Sequence, residues 1–384
     1  MQFENLKSDW MDESHVMFQD MATRFVDDKF VPRAEEWRHA GIMDRKIWNE
    51  AGEAGLLCTS IPEEYGGMGG DFGHEAILSL VQNHANLASW GQSIHSGIVA
   101  HYVLNCGTEE QKKKWLPKLA SGEMVGALAM TEPAAGSDVQ GIKTKAIKDG
   151  NVYRLSGQKT FITCGQHADL ILVAAKTNPA EGSRGVSLMC VETDGAEGFS
   201  RGRNLDKVGL KAGDTSELFF DNVPIPPENI LGGEENKGFY QMMQQLPQER
   251  LLIACGAVGA MEGAVRRTID YCKERHAFGK PIMDFQNTKF KLAECKTNTV
   301  VARTFLDSCI SAHMKGELTV ETAAMVKYWT TDLQNTVIDE CVQLHGGYGY
   351  MMEYDVAEMW TDARVQRIYG GTNEIMKDLI SRKL

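Results

Sequence analysis

The sequence lacks the features that mark several common protein classes. Its nine cysteines contain no CxxC pair, and an odd number cannot all pair within one chain. We therefore expect buried thiols in a reducing compartment, without a disulfide framework and without a metal site. No apolar run reaches about eighteen residues, so no membrane span is predicted. The net charge of -12 lacks the basic excess of a nucleic-acid-binding protein.

Two further absences narrow the function and the location. The chain has no Walker lysine motif, and no GxGxxG links a strand to a helix, which disfavours a Rossmann dehydrogenase. The first twenty residues carry five acidic side chains and the single base Lys7. This segment differs from an Arg-rich transit peptide and has no apolar signal-peptide core, so we expect a cytoplasmic protein.

The elements that are present follow the order helices, strands, helices. Amphipathic segments fill residues 1–123, short strands with turn signals fill 124–236, and long helices fill 237–384. Asp149-Gly150 between two apolar pairs predicts a hairpin. Runs without strand–helix alternation favour an α+β multidomain protein with three units at these boundaries. The C-terminal helices are expected near 238–274, 285–315, 318–345, 355–366 and 373–382.

Two segments of the middle unit could bind a polar, planar ligand. The loop 129–138 combines hydroxyls with turn-forming residues, and its backbone N–H groups could face a ligand. A plain helix-to-sheet connection, with Asp138 or Ser137 as a cap, would also explain it. In strand 157–163, alternation places Phe161 beside Thr163, which suits a flat heterocycle but also an ordinary packing pair.

The C-terminal unit offers an arginine and two glycine pairs. We expect a helix to end at Gly279, with Arg275 in its last turn, where the guanidinium could grip a pyrophosphate or merely face the helix dipole. Gly346-Gly347 and Gly370-Gly371 allow close backbone approach to a ligand, although either could be a simple helix end.

A carboxylate at Glu249 also has two explanations. Pro247 suits a first helical turn, where the helix dipole would favour Glu249 without any catalytic role. Gly256 and Gly259 follow, and interior glycines cost up to about 1 kcal/mol each. A closely packed helix or a ligand that needs the space must offset that cost.

Five ordered motifs resemble the acyl-CoA dehydrogenase family over essentially the whole chain. They are Ala129–Asp138, Gly157–Thr163, Arg275–Lys280 with Gln286, Gln343–Gly349 and Tyr369–Glu374. Leu246–Ala254 and Ile368–Lys377 are most similar to the long-chain branch. The resemblance implies an N-terminal helical domain, a central β-barrel-like domain and a C-terminal four-helix bundle.

The resemblance also implies FAD, an acyl-CoA substrate, a homotetramer and an electron-transfer flavoprotein as electron acceptor. Flavin and adenosine contacts are expected at Met130, Thr131, Gly136, Ser137, Phe161, Ile162, Thr163, Arg275, Phe278, Gln286, Gln343, Gly346, Gly347, Thr372 and Glu374. The acyl-CoA path is expected to include Ser137, Arg184, Tyr240, Arg250, Tyr369, Gly370 and Gly371.

One departure from the family pattern identifies the expected base. Most members carry the catalytic glutamate where this chain has Gly370, which cannot take a proton. The long-chain and isovaleryl branches instead carry it on the first long C-terminal helix beside an arginine, as Glu249 and Arg250 stand here. The resemblance assigns stabilisation of the thioester oxygen to the backbone N–H of Gly370 and to a flavin ribityl hydroxyl.

The predicted reaction is flavin-dependent α,β-dehydrogenation of acyl-CoA thioesters to trans-2-enoyl-CoA. A long or branched acyl chain is expected, in fatty-acid β-oxidation or branched acyl catabolism. A flavin monooxygenase or oxidase on the same fold, or a non-catalytic family member, is the alternative.

Overall fold

A computed structural model describes residues 8–384 of the chain. Glu4 and Lys7, on which the expected absence of a targeting peptide partly depends, lie outside the described residues. The N-terminal region is helical as expected. Its helices are α1 (Glu13–Phe25), α2 (Ala34–Ala40), α3 (Lys46–Glu53), α4 (Phe72–His84), α5 (Gln92–Ile94), α6 (His101–Cys106) and α7 (Glu109–Ala120). A π-helical turn at His95–Ala100 joins α5 to α6, so residues 92–106 run as one irregular helix.

Two histidines fix the start of α1 against the start of α4. Asp12 and Asp71 cap these helices, and His15 and His74 complete the two capping boxes. His15 Nε2 also lies 2.8 Å from Asp71 Oδ1, which ties the two caps together. This cluster therefore has a structural explanation in the packing of α1 on α4.

The middle region is one curled sheet of seven strands. They are β1 (Gly126–Ala129), β2 (Lys145–Asp149), β3 (Val152–Thr163), β4 (Leu170–Lys176), β5 (Val186–Glu192), β6 (Phe199–Asn204) and β7 (Thr215–Ile225). Their order is β1-β4-β2-β3-β7-β6, and β5 pairs with β4. The hairpin predicted at Asp149-Gly150 is confirmed, because Asp149 pairs with Val152.

The C-terminal region is built around three long helices. The elements are α8 (Gly238–Glu274), β8 (His276–Ala277), β9 (Lys280–Pro281), α9 (Gln286–Met314), α10 (Val320–His345), α11 (Asp355–Gln366) and α12 (Asn373–Ser381). Helix α8 is 37 residues long and packs against both α4 and α10, so it joins the N-terminal helices to the C-terminal bundle. None of the helices among residues 8–384 is both long enough and apolar enough to cross a membrane.

The interior glycines of α8 are explained by a neighbouring helix. A Cβ atom at Gly259 would lie 2.6 Å from the Leu80 carbonyl oxygen, and one at Gly256 would lie 3.2 Å from the Asn83 side chain. Both neighbours belong to α4, so the glycines permit close helix packing. The small residues after Ala254 therefore leave no extra room for an acyl chain at these positions.

The predicted range 238–274 matches α8, but two predictions drawn from single residues, Pro247 and Gly279, are wrong. Pro247 lies inside the helix rather than in its first turn, so Glu249 is far from the positive end of the helix dipole. The helix ends at Glu274, and Gly279 instead forms the turn of the β8–β9 hairpin with a φ of +81°. Arg275 is consequently the first residue beyond the helix, in an extended conformation.

Candidate active site

Glu249 is a buried carboxyl in the interior of α8. Its residue surface is 5% exposed, and the Tyr102 hydroxyl donates a hydrogen bond of 3.0 Å to Glu249 Oε1. Burial raises the pKa of Glu249 to about 7, against the opposing effects of the Tyr102 hydrogen bond and the Arg250 charge. A carboxyl group with a pKa near 7 can exchange a proton under physiological conditions, which suits a general base.

The turn at Gly370 packs against the face of α8 that carries Glu249. Ile253 follows Glu249 by one helical turn, so the two side chains share a face. A Cβ atom at Gly370 would lie 2.3 Å from Ile253 Cδ1. Gly370 stands where the resemblance places the base of most family members. There, Ile253 occupies the space that a side chain would need, and it does so from the face that carries Glu249.

Two buried cations border this turn. Lys327 Nζ donates to the Gly371 carbonyl oxygen at 2.8 Å and to Asn373 Oδ1 at 3.0 Å. The Arg250 guanidinium lies about 4.0 Å from the place a Gly371 Cβ would take, and its Nε is buried without a hydrogen-bond partner within residues 8–384. Burial, with a contribution from Arg250, lowers the pKa of Lys327 to about 7.

A buried ion pair fixes the loop 130–138 to strand β3. Lys159 Nζ lies 2.9 Å from Glu132 Oε1 and 2.9 Å from the Met130 carbonyl oxygen, while Glu132 also accepts from the amides of Lys143 and Thr144. Burial opposes the Glu132 charge, but Lys159 and these amides outweigh it and hold the pKa of Glu132 below its usual value. The Thr160 amide donates to the Thr131 carbonyl oxygen at 3.0 Å.

Strand β3 is irregular at the residue expected to face the flavin. Its register against β7 shifts between Lys159 and Ile162, and Phe161 has a φ of +59°. Non-glycine residues rarely adopt this conformation, and a β-bulge re-aims the side chain it carries. Phe161 is 67% exposed, whereas Ile162 is buried in the sheet. An exposed aromatic ring in a strained conformation beside a polar loop is suited to contact a ligand.

A cleft forms where α8 and α10 end. Its volume is about 520 Å³, and Arg275, Gln343, Gly346 and Gly347 lie on its wall together with Tyr271. The remaining residues that line it are Ile282, Leu344, His345, Tyr348 and Met351. A Cβ atom at Gly346 or Gly347 would meet no atom within 4 Å, so the backbone there is open to a ligand.

Comparisons with known proteins identify the family of the chain. Residues 12–123, 127–223 and 236–384 match the family models for the acyl-CoA dehydrogenase N-terminal, middle and C-terminal domains. The chain belongs to the acyl-CoA dehydrogenase family. It is an FAD-dependent oxidoreductase that catalyses the α,β-dehydrogenation of acyl-CoA thioesters.

Three relatives illustrate the likeness. The mitochondrial long-chain specific acyl-CoA dehydrogenase of Sus scrofa is 49% identical over 372 residues, which cover 96% of this chain and 86% of the relative. A crystal structure of an acyl-CoA dehydrogenase from Geobacillus kaustophilus is 46% identical, with a TM-score of 0.95 over 98% of this chain and 99% of that one. A Mycobacterium smegmatis glutaryl-CoA dehydrogenase in complex with FADH2 is 27% identical, with a TM-score of 0.91 over 97% and 95%.

The residues of this acyl-CoA dehydrogenase fit FAD at both sites. The cleft beside Arg275 offers a guanidinium and open glycine backbone, which suit a diphosphate. A Cβ atom at Gly136 would also meet nothing within 4 Å, so the loop beside Phe161 leaves space for a ring system. Thr163 is partly exposed at the end of β3 and can offer a hydroxyl.

Other predicted contact residues are spread around these sites. Thr372 caps α12 by accepting a hydrogen bond from the Ile375 amide. Glu374 in its first turn has its pKa lowered chiefly by a backbone hydrogen bond. Phe278 is 95% exposed in the β8–β9 turn, and Gln286 is exposed at the start of α9.

The predicted substrate-path residues differ in exposure. Tyr240 is exposed on the first turns of α8, Tyr369 is partly exposed beside the Gly370 turn, and Ser137 is exposed in its loop. Arg184 is highly exposed and lies 3.4 Å from Glu181 in a short surface helix. Among residues 8–384, none of the contacts of Arg184 reaches the buried Glu249.

Sequence reasoning missed Tyr102, Lys327 and the pairing of Glu132 with Lys159. Glu132 and Lys159 both lie inside quoted motifs, so their opposite charges beside apolar residues were an available signal. Tyr102 is separated from Glu249 by 147 positions and has no motif of its own. Only the packing of α6 against α8 reveals it.

Proposed function

We propose that Glu249 removes the α-proton of a long-chain acyl-CoA. Bound FAD supplies the acceptor for the β-hydrogen, which leaves as hydride. The observation that carries the proposal is a buried carboxyl on the α8 face that packs against the Gly370 turn. Because Glu249 lies inside α8, the helix-end explanation for this carboxylate no longer applies.

The protonation behaviour of Glu249 supports its role as a base. With a pKa raised to about 7 by burial, the carboxylate binds a proton more strongly than an exposed glutamate does. Tyr102 and Arg250 keep the ionised form accessible. Such a balance favours proton uptake without leaving the group protonated throughout the neutral range.

The turn at Gly370 is suited to hold the thioester oxygen. Consecutive φ values of +63° and +87° at Gly370 and Gly371 shape a turn without side chains. Within residues 8–384 no acceptor takes the Gly370 N–H, whereas Lys327 holds the Gly371 carbonyl oxygen. We propose that this free N–H donates to the thioester oxygen, where negative charge develops as the α-proton leaves.

The substrate is proposed to be a long-chain acyl-CoA, with branched acyl groups as the alternative. The support is the 49% identity to a long-chain specific enzyme and the lack of a side chain at Gly370. A panel from C4 to C18 acyl-CoA plus isovaleryl-CoA, scored by anaerobic flavin bleaching, ranks these substrates. Maximal bleaching by C4 or isovaleryl-CoA would reject the long-chain assignment.

Glu249→Gln tests the base. We expect the rate of flavin bleaching by the preferred acyl-CoA to fall by roughly 10²–10⁴-fold or more, because general-base catalysis is lost. Glu262→Gln is the matched control, since Glu262 is also buried on α8 with a pKa raised by burial but pairs with Arg303. Both proteins should remain yellow. A Glu249→Gln enzyme with normal bleaching would reject the assignment.

The proposal extends to assembly, partner and location. We propose a homotetramer in which the hairpin that carries Phe278 contacts another subunit near FAD. The Phe278 ring is 95% exposed, and an exposed apolar ring is typical of an interaction site. An electron-transfer flavoprotein is the proposed acceptor of electrons from the reduced enzyme. The nine unpaired cysteines support a reducing compartment, the cytoplasm.

A further inference from the structure

The carboxyl of Glu249 is held asymmetrically. Tyr102 donates its hydroxyl to Oε1 at 3.0 Å, while Oε2 has no hydrogen bond within residues 8–384. Tyr102 is fully buried in α6, and its ring is surrounded by the helices that form the core. One carboxyl oxygen is therefore fixed, and the other remains free to take a proton.

The contact between α6 and α8 gives this hydrogen bond a rigid frame. One helical turn before Glu249, Gln245 Oε1 accepts from Asn105 Nδ2 at 3.2 Å. Gln248, the residue before Glu249, donates through Nε2 to the Gly97 carbonyl oxygen at 2.8 Å. These bonds join the irregular helix 92–106 to the segment of α8 that carries the proposed base.

We infer that Tyr102 is a positioning residue that anchors Glu249 Oε1 and directs Oε2 toward the α-proton of the substrate. This inference rests on the proposed role of Glu249 as the base. A glutamate side chain has three rotatable bonds, so an unanchored carboxylate would spend less time in the reactive orientation. Tyr102 itself takes up no proton from the substrate.

The groups around Glu249 define what a pH experiment would report. Tyr102 of α6 and Arg250 of α8 itself act directly on Glu249. Cys106 acts on Tyr102, and Lys327 of α10 interacts with Arg250. His313 Nε2 of α9 lies 3.2 Å from Oε1 of Gln248, the residue that precedes Glu249 in α8. Burial raises the pKa of Tyr102 far above its ordinary value, so its hydroxyl stays a donor throughout the neutral range.

Tyr102→Phe removes the anchor and leaves the ring. The hydrogen bond favours the ionised carboxylate, so its loss should raise the pKa of Glu249 further above about 7. A hydrogen bond to a charged group is worth about 1.5 kcal/mol, which converts to a shift of about one pH unit. The acidic limb of the rate of flavin reduction by acyl-CoA should move up by that amount.

The expected result is a rate about fivefold lower at pH 7, because a shift of one unit lowers the ionised fraction of Glu249 from about one half to about one tenth. The deficit should be smaller at pH 9, with little change in KM. Stopped-flow flavin bleaching from pH 6 to 9 measures it. Tyr65→Phe is the matched control, since the Tyr65 hydroxyl donates to Glu109 at 2.8 Å, a carboxylate outside the site. Tyr65→Phe should keep the wild-type profile.

A Tyr102→Phe enzyme whose acidic limb coincides with that of the wild type would overturn the inference. A pH-independent loss with no movement of the acidic limb would do the same, because it shows that the hydroxyl does not act on the carboxylate of Glu249. If Tyr102→Phe does not fold, 3-fluorotyrosine at position 102 provides the second test. Its hydroxyl is more acidic and a stronger donor, so the acidic limb should move to lower pH, and an unmoved limb overturns the inference.

Failure of this inference is distinguishable from failure of the proposed base. If Glu249→Gln bleaches normally, Glu249 is not the base, and the Tyr102 inference falls with it. If Glu249→Gln is inactive while Tyr102→Phe keeps the wild-type limb, the base stands and only the anchor is rejected.

Discussion

At the scale of single residues, Glu249 combines a chemical advantage with a cost in stability. Its pKa is raised from 4.5 to about 7 by burial, so the folded protein retains a proton that the unfolded chain releases between these values. The folded state is therefore favoured at low pH, and this advantage is lost as the pH rises from about 4.5 through about 7. Above that window the buried carboxylate is ionised and destabilising.

Glu249→Gln should consequently stabilise the enzyme at pH 8. The gain is on the order of 1–3 kcal/mol, because each pKa unit corresponds to about 1.4 kcal/mol. At pH 5 the variant and wild type should differ much less, since the folded wild type is already protonated. Thermal midpoints at the two pH values measure the effect. An equal difference at pH 5 and pH 8 would contradict it.

At the scale of elements, the loop 130–138 depends on the buried pair of Glu132 and Lys159. Lys159 is fully buried, and burial lowers its pKa to about 8 despite the contact with Glu132. A buried ion pair adds little net stability relative to apolar residues, but breaking one side leaves an unpaired buried charge. The pair thus makes the position of the loop sensitive to either residue.

Lys159→Met should destabilise the protein by about 3–5 kcal/mol and lower its FAD content, because Glu132 loses its counter-charge. The double variant Glu132→Gln with Lys159→Met should recover a large part of the stability. Thermal unfolding and the ratio of flavin to protein absorbance measure both effects. Additive losses in the double variant would argue that the two residues act independently.

Element boundaries show where sequence reasoning succeeded and failed. The helices at 238–274 and 355–366 and the Asp149-Gly150 hairpin were predicted correctly from periodicity and turn chemistry. The prediction that Pro247 lies in a first helical turn failed, because proline is common there, whereas here tertiary packing keeps it inside α8. Gly279 was predicted to end a helix, but glycine is common both at helix ends and in hairpin turns, since both need a left-handed conformation.

At the scale of the whole molecule, contacts within one subunit do not explain why the β8–β9 hairpin exposes an aromatic ring. The Arg275 guanidinium lies 5.5 Å from the centre of the Tyr348 ring, which holds the base of the hairpin at the cleft, while Phe278 in the turn is 95% exposed. The proposed homotetramer would bury this ring. The mass in solution should then be about four times 42.5 kDa.

Phe278→Ser should weaken assembly and FAD retention while it leaves the fold of each subunit unchanged, because the ring contributes almost nothing to the core of its own chain. Light scattering and flavin content measure the two effects, with circular dichroism as the control for folding. Phe290→Ser serves as a matched variant, since Phe290 is also exposed, at 58%, on α9 outside the cleft. A wild-type enzyme that is monomeric would reject the proposal.

The sequence by itself determined the order of helices and strands, the family and the candidate base. Periodicity and motif spacing are local properties, and the glycine at 370 together with Glu249 and Arg250 could be read directly. Tertiary structure decided what surrounds that base. The Tyr102 hydrogen bond, the Ile253 contact with the Gly370 turn and the packing of Gly259 on α4 join distant segments. Such contacts depend on how helices pack, and no local pattern specifies them.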